Sequence, residues 1–487
     1  MHDKTRDVIV VGGGISGLTT AWHLKKAGVD VTLLEAKETV GGCTRTDRVD
    51  GFLLEKGPFN VMIRDPAFED LIDGVSGHVN IIRAEESAKK RYIYRRGRLM
   101  PVPSGPFGLM TTPLLPFGGR CRLLAGLLVS ARPRHGEETI EQAATRRFGR
   151  AACDTLVSAV IAGIFAGDIR KLSLSACFPS AGRIDASARS LLVYGLRQAL
   201  RAARRNKNRR RRRWRGLVSI DGGLGALTGA LGAALGADLL IGRRTEAIRQ
   251  TANGFELDIG PPGADRKTLR CHRLVIATSR PEAVRLLRPV VPVAANVVDS
   301  IESASLVVLN LGYRRSDVGH PMDGFGFLVP GNEPEFPLMG ALFADSVFPH
   351  HAPDDRRLLR VFIGGARDPG AVDRPDDELV ATATCRLRDL LEIRGEPVLV
   401  DVCRYKEAIP QYHLGHGEKI ARLRTAVDAI PGLHVVGNYQ GGVSLNDCVR
   451  LATETARDLI GAGVIACASA PVRKAGMNQE SRAVVSA

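Results

Sequence analysis

Apolar and polar positions along this chain fall into blocks whose period switches between that of a strand and that of a helix. Residues 7 to 11 (DVIVV) are an unbroken apolar run of strand length, GGGISG is a tight turn, and Leu18 to Ala27 carries a helical pattern that stops at Gly28. Residues 29 to 34 (VDVTLL) form a second strand finishing at Glu35, which completes a βαβ unit. Residues 137 to 166 read as helices, and a helical lead from Ser187 to Ala203 follows. Residues 217 to 292 return to mixed structure, with a glycine-rich helix start (SIDGGLGALTGALGAAL), a strand pair around 245 to 259 and the strand RLVIAT. Alternating strands at 305 to 313, 324 to 330, 338 to 343 and 358 to 364 predict a second sheet. A last short strand at 433 to 437 precedes a helix from about Asp447 to Ala462, and the tail shows no period. The pattern is α/β, with a helical module between sheet-forming segments.

With 487 residues the chain exceeds what one core supports, roughly 250 to 300 residues, so two or three domains are expected. The net charge of +16 suggests nucleic acid until it is located. Eleven basic residues and no acidic one lie between Arg197 and Arg215, a block that reads as a solvated loop or a contact for anionic lipid. It lacks interleaved aromatics apart from Trp214, so no nucleic-acid partner is expected. Nine cysteines without a CxxC pair argue against a disulfide framework or a zinc site, and no secretory signal opens the chain; a cytoplasmic location is expected. No run reaches the ~18 to 20 apolar residues of a membrane span. The stretch from Pro101 to Ala131, rich in Pro, Gly and Leu, suits either a membrane surface or a buried helical hairpin.

The first candidate chemistry is GxGxxG, formed by Gly12, Gly14 and Gly17 with Ser16 inside it, directly after a strand and at a helix start. Missing side chains there let backbone amides reach a pyrophosphate, and Glu35 at the next strand end can accept from a ribose hydroxyl. A second glycine pair, Gly41 and Gly42, with Arg45 nearby, suits a longer ligand that needs close backbone approach again. At the other end, HVVGNYQGGVSLNDC sets Gly437, Gly441 and Gly442 before a helix whose N-terminus could face the same ligand.

Gly12 to Thr46 with EKGPFN, then RYIYRRGRLMPVPSGP, AGIFAGDIRKLSLSACFP, SIDGGLGALTGAL, AIPQYHLGH and GNYQGGVSLNDCV occur in this order. Through them the chain, from about residue 6 to 462, resembles the oxygen-dependent protoporphyrinogen oxidases and bacterial coproporphyrinogen III oxidases within the amine-oxidase-like flavoproteins. The resemblance implies a discontinuous FAD-binding Rossmann-like domain (1–82, 216–292 and 404–464), a mixed-sheet substrate domain (83–98 and 293–403), a helical membrane-associating module (99–215) and a mobile tail (465–487). It implies FAD contacts at Gly12, Gly14, Ser16, Gly17, Glu35, Gly41, Gly42, Arg45, Gly57, Thr245, Gly437, Gly442 and Val443. Arg91 would pair with a substrate propionate, for which a planar guanidinium fork is suited. Gly163, Phe325, Leu328 and Phe362 would line or clamp the macrocycle. The basic block exceeds the family's pattern, and Cys43 and Thr44 fill a variable place in it.

The implied activity is oxidation of protoporphyrinogen IX to protoporphyrin IX with O2 as acceptor, H2O2 as product and no metal, in haem biosynthesis; coproporphyrinogen III is the alternative substrate. Peripheral contact with an anionic membrane face, hand-over to a ferrochelatase and a homodimer are further expectations. His413 and His416 lack an evident titrating partner and read as supports of their motif, so no general base is assigned. Competing readings are another superfamily oxidase, such as a carotenoid desaturase, and a non-catalytic FAD-binding or lipid-surface protein.

Overall fold

The computed structural model describes residues 5–103, 105–128, 136–182, 216–260 and 267–461; the basic block and the tail lie outside them. Two seven-stranded sheets organise the chain. In the first, Leu239–Leu240, Val31–Leu34, Arg6–Val11 and Lys267–Ile276 run parallel in that order, Leu433–Val435 adds to Lys267–Ile276 in parallel, and Gly254–Gly260 and Arg244–Thr251 continue as an antiparallel meander. Parallel strands are buried on both faces, which is why DVIVV has no polar alternation. Ile15–Lys26, Gly225–Leu235 and Leu445–Gly461 cover one face, and Arg280–Leu287, Pro292–Asp299 and His416–Asp428 the other.

The second sheet has the order Leu399–Pro410, Ser303–Arg314, Arg356–Gly364, Leu338–Phe343, Gly326–Leu328, Tyr92–Arg95, Arg98–Pro101, with one parallel pairing, between Gly326–Leu328 and Tyr92–Arg95. One face (Val307, Leu309, Phe327, Ala341, Val361, Ile363) packs under the helix Asp376–Leu390. The opposite face turns toward the first sheet's glycine turns. Strand Leu399–Pro410 runs across the 403/404 boundary expected between domains, because its pairing with Ser303–Arg314 continues to Pro410. Strand Gly326–Leu328 is shorter than the 324–330 segment in the pattern; Pro330 brings no backbone N–H to extend it.

Between the sheets the chain makes helices Gly105–Thr111, Phe117–Leu128, Ile140–Phe148 and a longer run from Arg150 to Phe165 that contains a π turn at Cys153–Val157. Leu114, Leu115 and Leu123 are buried, whereas Phe107 and Phe117 are 79% and 74% exposed, so this stretch is only partly buried. Among the described residues no helix is long and apolar enough to cross a membrane, and no cluster of His, Cys, Asp or Glu could hold a metal ion.

Candidate active site

The cradle is built from backbone. Strand Arg6–Val11 delivers Gly12 at φ 110°, and a Cβ there would stand 2.5 Å from the Ala277 carbonyl oxygen, so only glycine lets the turn close on the neighbouring strand. Gly13 N donates to Glu35 Oε2 at 2.6 Å and Lys37 N to Oε1 at 2.9 Å, which fixes the buried carboxylate at the turn. The second glycine pair lies on the first: Gly41 N donates to Gly13 O at 2.7 Å, and a Cβ on Gly42 would sit 3.3 Å from Gly14 Cα. Arg243 N donates to Glu35 O and Gly242 N to Lys37 O, which brings Thr245, 3% exposed with its hydroxyl unpartnered, to the same edge.

The two chain ends meet here. Helix Leu445–Gly461 packs alongside Ile15–Lys26 in the same direction, through Thr20 Oγ1 on Ala452 O at 3.5 Å and Thr453 Oγ1 with His23 Nε2 at 3.1 Å. Both N-termini therefore lie on one side; that of Ile15–Lys26 has no side-chain cap, whereas at the other Asp447 N donates to Ser444 Oγ at 3.3 Å. Gly437 emerges beside Ala277, since Val436 N donates to Ile276 O at 2.9 Å. The loop that follows is held by Tyr412, fully buried, whose hydroxyl donates to Asn438 O and accepts from Gly442 N at 3.0 Å. Burial pushes the Tyr412 phenol well above its ordinary range, so it stays a donor. Gln411 Nε2 donates to Phe165 O at 2.9 Å and Ser173 N to Tyr412 O at 2.8 Å. Three separate sequence motifs, AGIFAGD, PQYHLGH and GNYQGGV, thus form one packed unit, with Val443 against the same apolar cluster as Phe165 and Tyr412. His416 is stacked on Tyr412 at 4.2 Å between ring centroids and is held neutral by burial, its pKa pushed down to about 4; His413 faces Glu302 at 3.7 Å.

The expected substrate residues fall into two groups on the second sheet. Arg91 stacks its guanidinium on Phe325, 5.3 Å from the ring centroid, and is exposed. Leu328 and Gly163 are in contact: a Cβ on Gly163 would lie 2.8 Å from Leu328 Cδ2. Phe362 shares the face of Leu328, in the register Leu328, Gly340, Phe362 across three strands. A Cβ on Gly340 would stand 2.4 Å from the Phe327 carbonyl oxygen, so glycine there lets the two strands close, and Leu328 and Phe362 stand on one face about two strand spacings, roughly 9.6 Å, apart. Gly57 lies against the Cys43 carbonyl, at the junction of this face with the glycine turns. There a cavity of about 310 Å³ is bordered by Gly42, Cys43, Arg45, Lys56, Cys403 and Tyr405.

The pattern of residues missed Gly340, Tyr412 and Arg360. A glycine within the apolar strand LMGALF signals close approach of a ligand or backbone. Arg360 interrupts the apolar run of RRLLRVFIG at an inward phase, a signal that pointed to a buried cation.

Residues 15–460 match the model of a family described as flavin containing amine oxidoreductase. The chain belongs to that family. This flavin-dependent oxidoreductase is 30% identical to the coproporphyrinogen III oxidase of Propionibacterium freudenreichii subsp. freudenreichii, over 97% of this chain and 94% of the relative. It is 25% identical to the coproporphyrinogen III oxidase of Bacillus subtilis (strain 168), over 92% and 97%, and 27% to protoporphyrinogen oxidase 2 of Arabidopsis thaliana, over 93% of each. A crystal structure from Exiguobacterium sp. 255-15, assigned as a protoporphyrinogen oxidase, superposes with a TM-score of 0.79 at 25% identity, covering 94% of this chain and 99% of that one. UDP-galactopyranose mutase, at 16% identity and a TM-score of 0.70, shares the fold. The oxidoreductase's residues fit a flavin nucleotide: a Cβ on Gly14 or Gly441 would meet nothing within 4 Å, and Thr245 Oγ1 and Arg360 Nε are buried donors without partners.

Proposed function

We propose that this oxidoreductase binds FAD in the glycine cradle and oxidises a porphyrinogen to a porphyrin with O2 as acceptor. The observation that carries the reading is that Leu328 and Phe362 share the sheet face from which Arg360, two residues before Phe362, donates to the Gly57 carbonyl beside the glycine turns. Those apolar side chains suit a macrocycle, and Arg91, just ahead of the neighbouring strand Tyr92–Arg95, suits a carboxylate at its rim. Bound FAD supplies the two-electron acceptor and passes each pair to oxygen as H2O2, so the loss of six electrons and six protons needs three rounds. The chain's part is to hold the macrocycle against the cofactor and exclude water. Glu35 would take the ribose, Gly12, Gly14, Ser16, Gly17, Gly41 and Gly42 the pyrophosphate side, and Thr245 the adenine edge. Arg45, Gly57, Gly437, Gly442 and Val443 would border the ring. No side chain is assigned as a general base.

Protoporphyrinogen IX is the substrate the sequence motifs favour. Coproporphyrinogen III is the second reading, favoured by the 30% identity to a coproporphyrinogen III oxidase over nearly the whole chain. The exposed Phe107, Met110 and Phe117 support peripheral contact with a membrane surface. The test is aerobic turnover of FAD-loaded protein with both porphyrinogens, following porphyrin fluorescence and peroxide. Three H2O2 per porphyrin from either substrate supports the reading; FAD-loaded protein inert toward both leaves the desaturase-like and non-catalytic readings.

A further inference from the structure

Arg360 is a cation where its strand calls for an apolar residue. It is 2% exposed and lies in one cross-strand row with Asn310 and Asp401. Asp401 is already engaged, accepting from Lys56 Nζ at 2.7 Å and from Asn310 Nδ2 at 2.8 Å. Arg360 Nη2 donates to the Gly57 carbonyl, while Nε and Nη1 are buried with no hydrogen-bond partner. Among the described residues no carboxylate comes within 4.0 Å of the guanidinium. Glu55 and Asp401 act on it only at longer range, and burial pulls its pKa below the ordinary value. An isolated interior cation costs several kcal/mol unless an electron-rich group completes it.

The position says where that group arrives. Gly57 backs onto Cys43, and Gly42, next to Cys43, faces Gly14 of the nucleotide cradle. Arg360 therefore stands at the cradle end of the sheet face. Phe362, two residues on and on the same sheet face, lies beneath the guanidinium at 5.6 Å from its ring centroid. Arg91, by contrast, is exposed near the other edge of the sheet.

We propose that Arg360 is the flavin-facing cation of this site, with Nε and Nη1 donating to the electron-rich edge of the flavin ring. The assignment rests on the reading that flavin occupies the cradle, and is independent of which porphyrinogen reacts. A fixed positive charge there binds the cofactor more tightly once it has gained an electron pair, and so raises its reduction potential. Arg360 is in this sense a tuning residue that acts on the cofactor without contacting the substrate.

Full-length wild type, R360K and R360M are reconstituted with FAD, and two quantities are read without any porphyrinogen: the Kd for oxidised FAD and the reduction potential against a reference dye. In R360M the potential should fall by the equivalent of a 10- to 100-fold loss, roughly, in preference for reduced over oxidised FAD, the size of a hydrogen bond to a charged group. R360K should fall between. Circular dichroism checks the fold, and R360Q, which keeps the length and an amide donor, substitutes if R360M aggregates. A potential in R360M or R360Q within the equivalent of twofold of wild type overturns the proposal. An unchanged potential with a raised KM for porphyrinogen also overturns it, reassigning Arg360 to a substrate carboxylate. Failure of wild type itself to bind FAD would remove the flavin reading on which the proposal stands.

Discussion

Replacing Tyr412 by Phe removes one oxygen atom and tests whether the loop from Gly437 to Val443 is pre-set for the cofactor. The ring keeps its place in the cluster with Phe165 and its stack on His416, so packing is conserved. Two backbone groups lose their partner, the Asn438 carbonyl and the Gly442 amide. A buried group left unpaired costs about 1–3 kcal/mol; both residues are half-buried, so water recovers part and about 1 kcal/mol each is the fitting figure. The sum, about 2 kcal/mol, corresponds to roughly 30-fold in affinity if it falls on the bound form of the loop. Titration of apoprotein with FAD, read by quenching of flavin fluorescence, should show a Kd raised about 10- to 30-fold in Y412F with unchanged circular dichroism. A Kd within twofold of wild type would show that the loop is held by something other than this hydroxyl, and would refute the reasoning.

Arg91→Ala should raise the KM for porphyrinogen about 10-fold or more, the size of a charge-assisted hydrogen bond, and leave FAD content intact; an unchanged KM removes Arg91 from the site. Glu35→Ala takes away the acceptor of Gly13 N and Lys37 N and should weaken FAD binding by more than about 10-fold by equilibrium dialysis, whereas equal affinity would contradict the cradle. His351 and His416 are held neutral by burial, with pKa pushed down to about 3 and about 4. Their folded-state values lie below the unfolded one, so their stabilisation is whole above about pH 6.5 and is lost as pH falls; at pH 5 each costs about 2 kcal/mol. Glu55, pushed up to about 7 by burial, has the opposite sign: its contribution is present below about pH 4.5 and is lost as pH rises through 7. E55Q should therefore have a higher urea midpoint than wild type at pH 8 and a steeper loss between pH 7 and 5. A lower midpoint at pH 8 would mean that the hydrogen bonds from Leu224 N and Thr46 Oγ1 need the carboxylate more than burial penalises it.

Local patterns carried much of this molecule. DVIVV, the glycine turn and Glu35 announced a nucleotide cradle because backbone geometry and glycine spacing are local properties. The structure adds that Gly41 and Gly42 sit directly on that turn, a contact no spacing reveals. The role of PQYHLGH was less legible: its histidines drew attention as titratable groups, while Tyr412 and Gln411 tie three distant segments together. That tie is tertiary. That Leu328 and Phe362 share one face, with Gly340 between them, depends on strand register, and register follows from pairing across the sheet. Arg360 left a visible trace, a charge at an inward position of an apolar strand, but its meaning depends on Gly57, some three hundred residues away in sequence.

The central claim, that a porphyrinogen delivers electrons to flavin in this cradle, is tested most directly by anaerobic mixing of FAD-loaded protein with protoporphyrinogen IX or coproporphyrinogen III, followed at the flavin absorption band. The account predicts rapid bleaching with at least one of the two and recovery of the band when oxygen is admitted. Flavin that stays oxidised with both, in protein that binds FAD stoichiometrically, would contradict it.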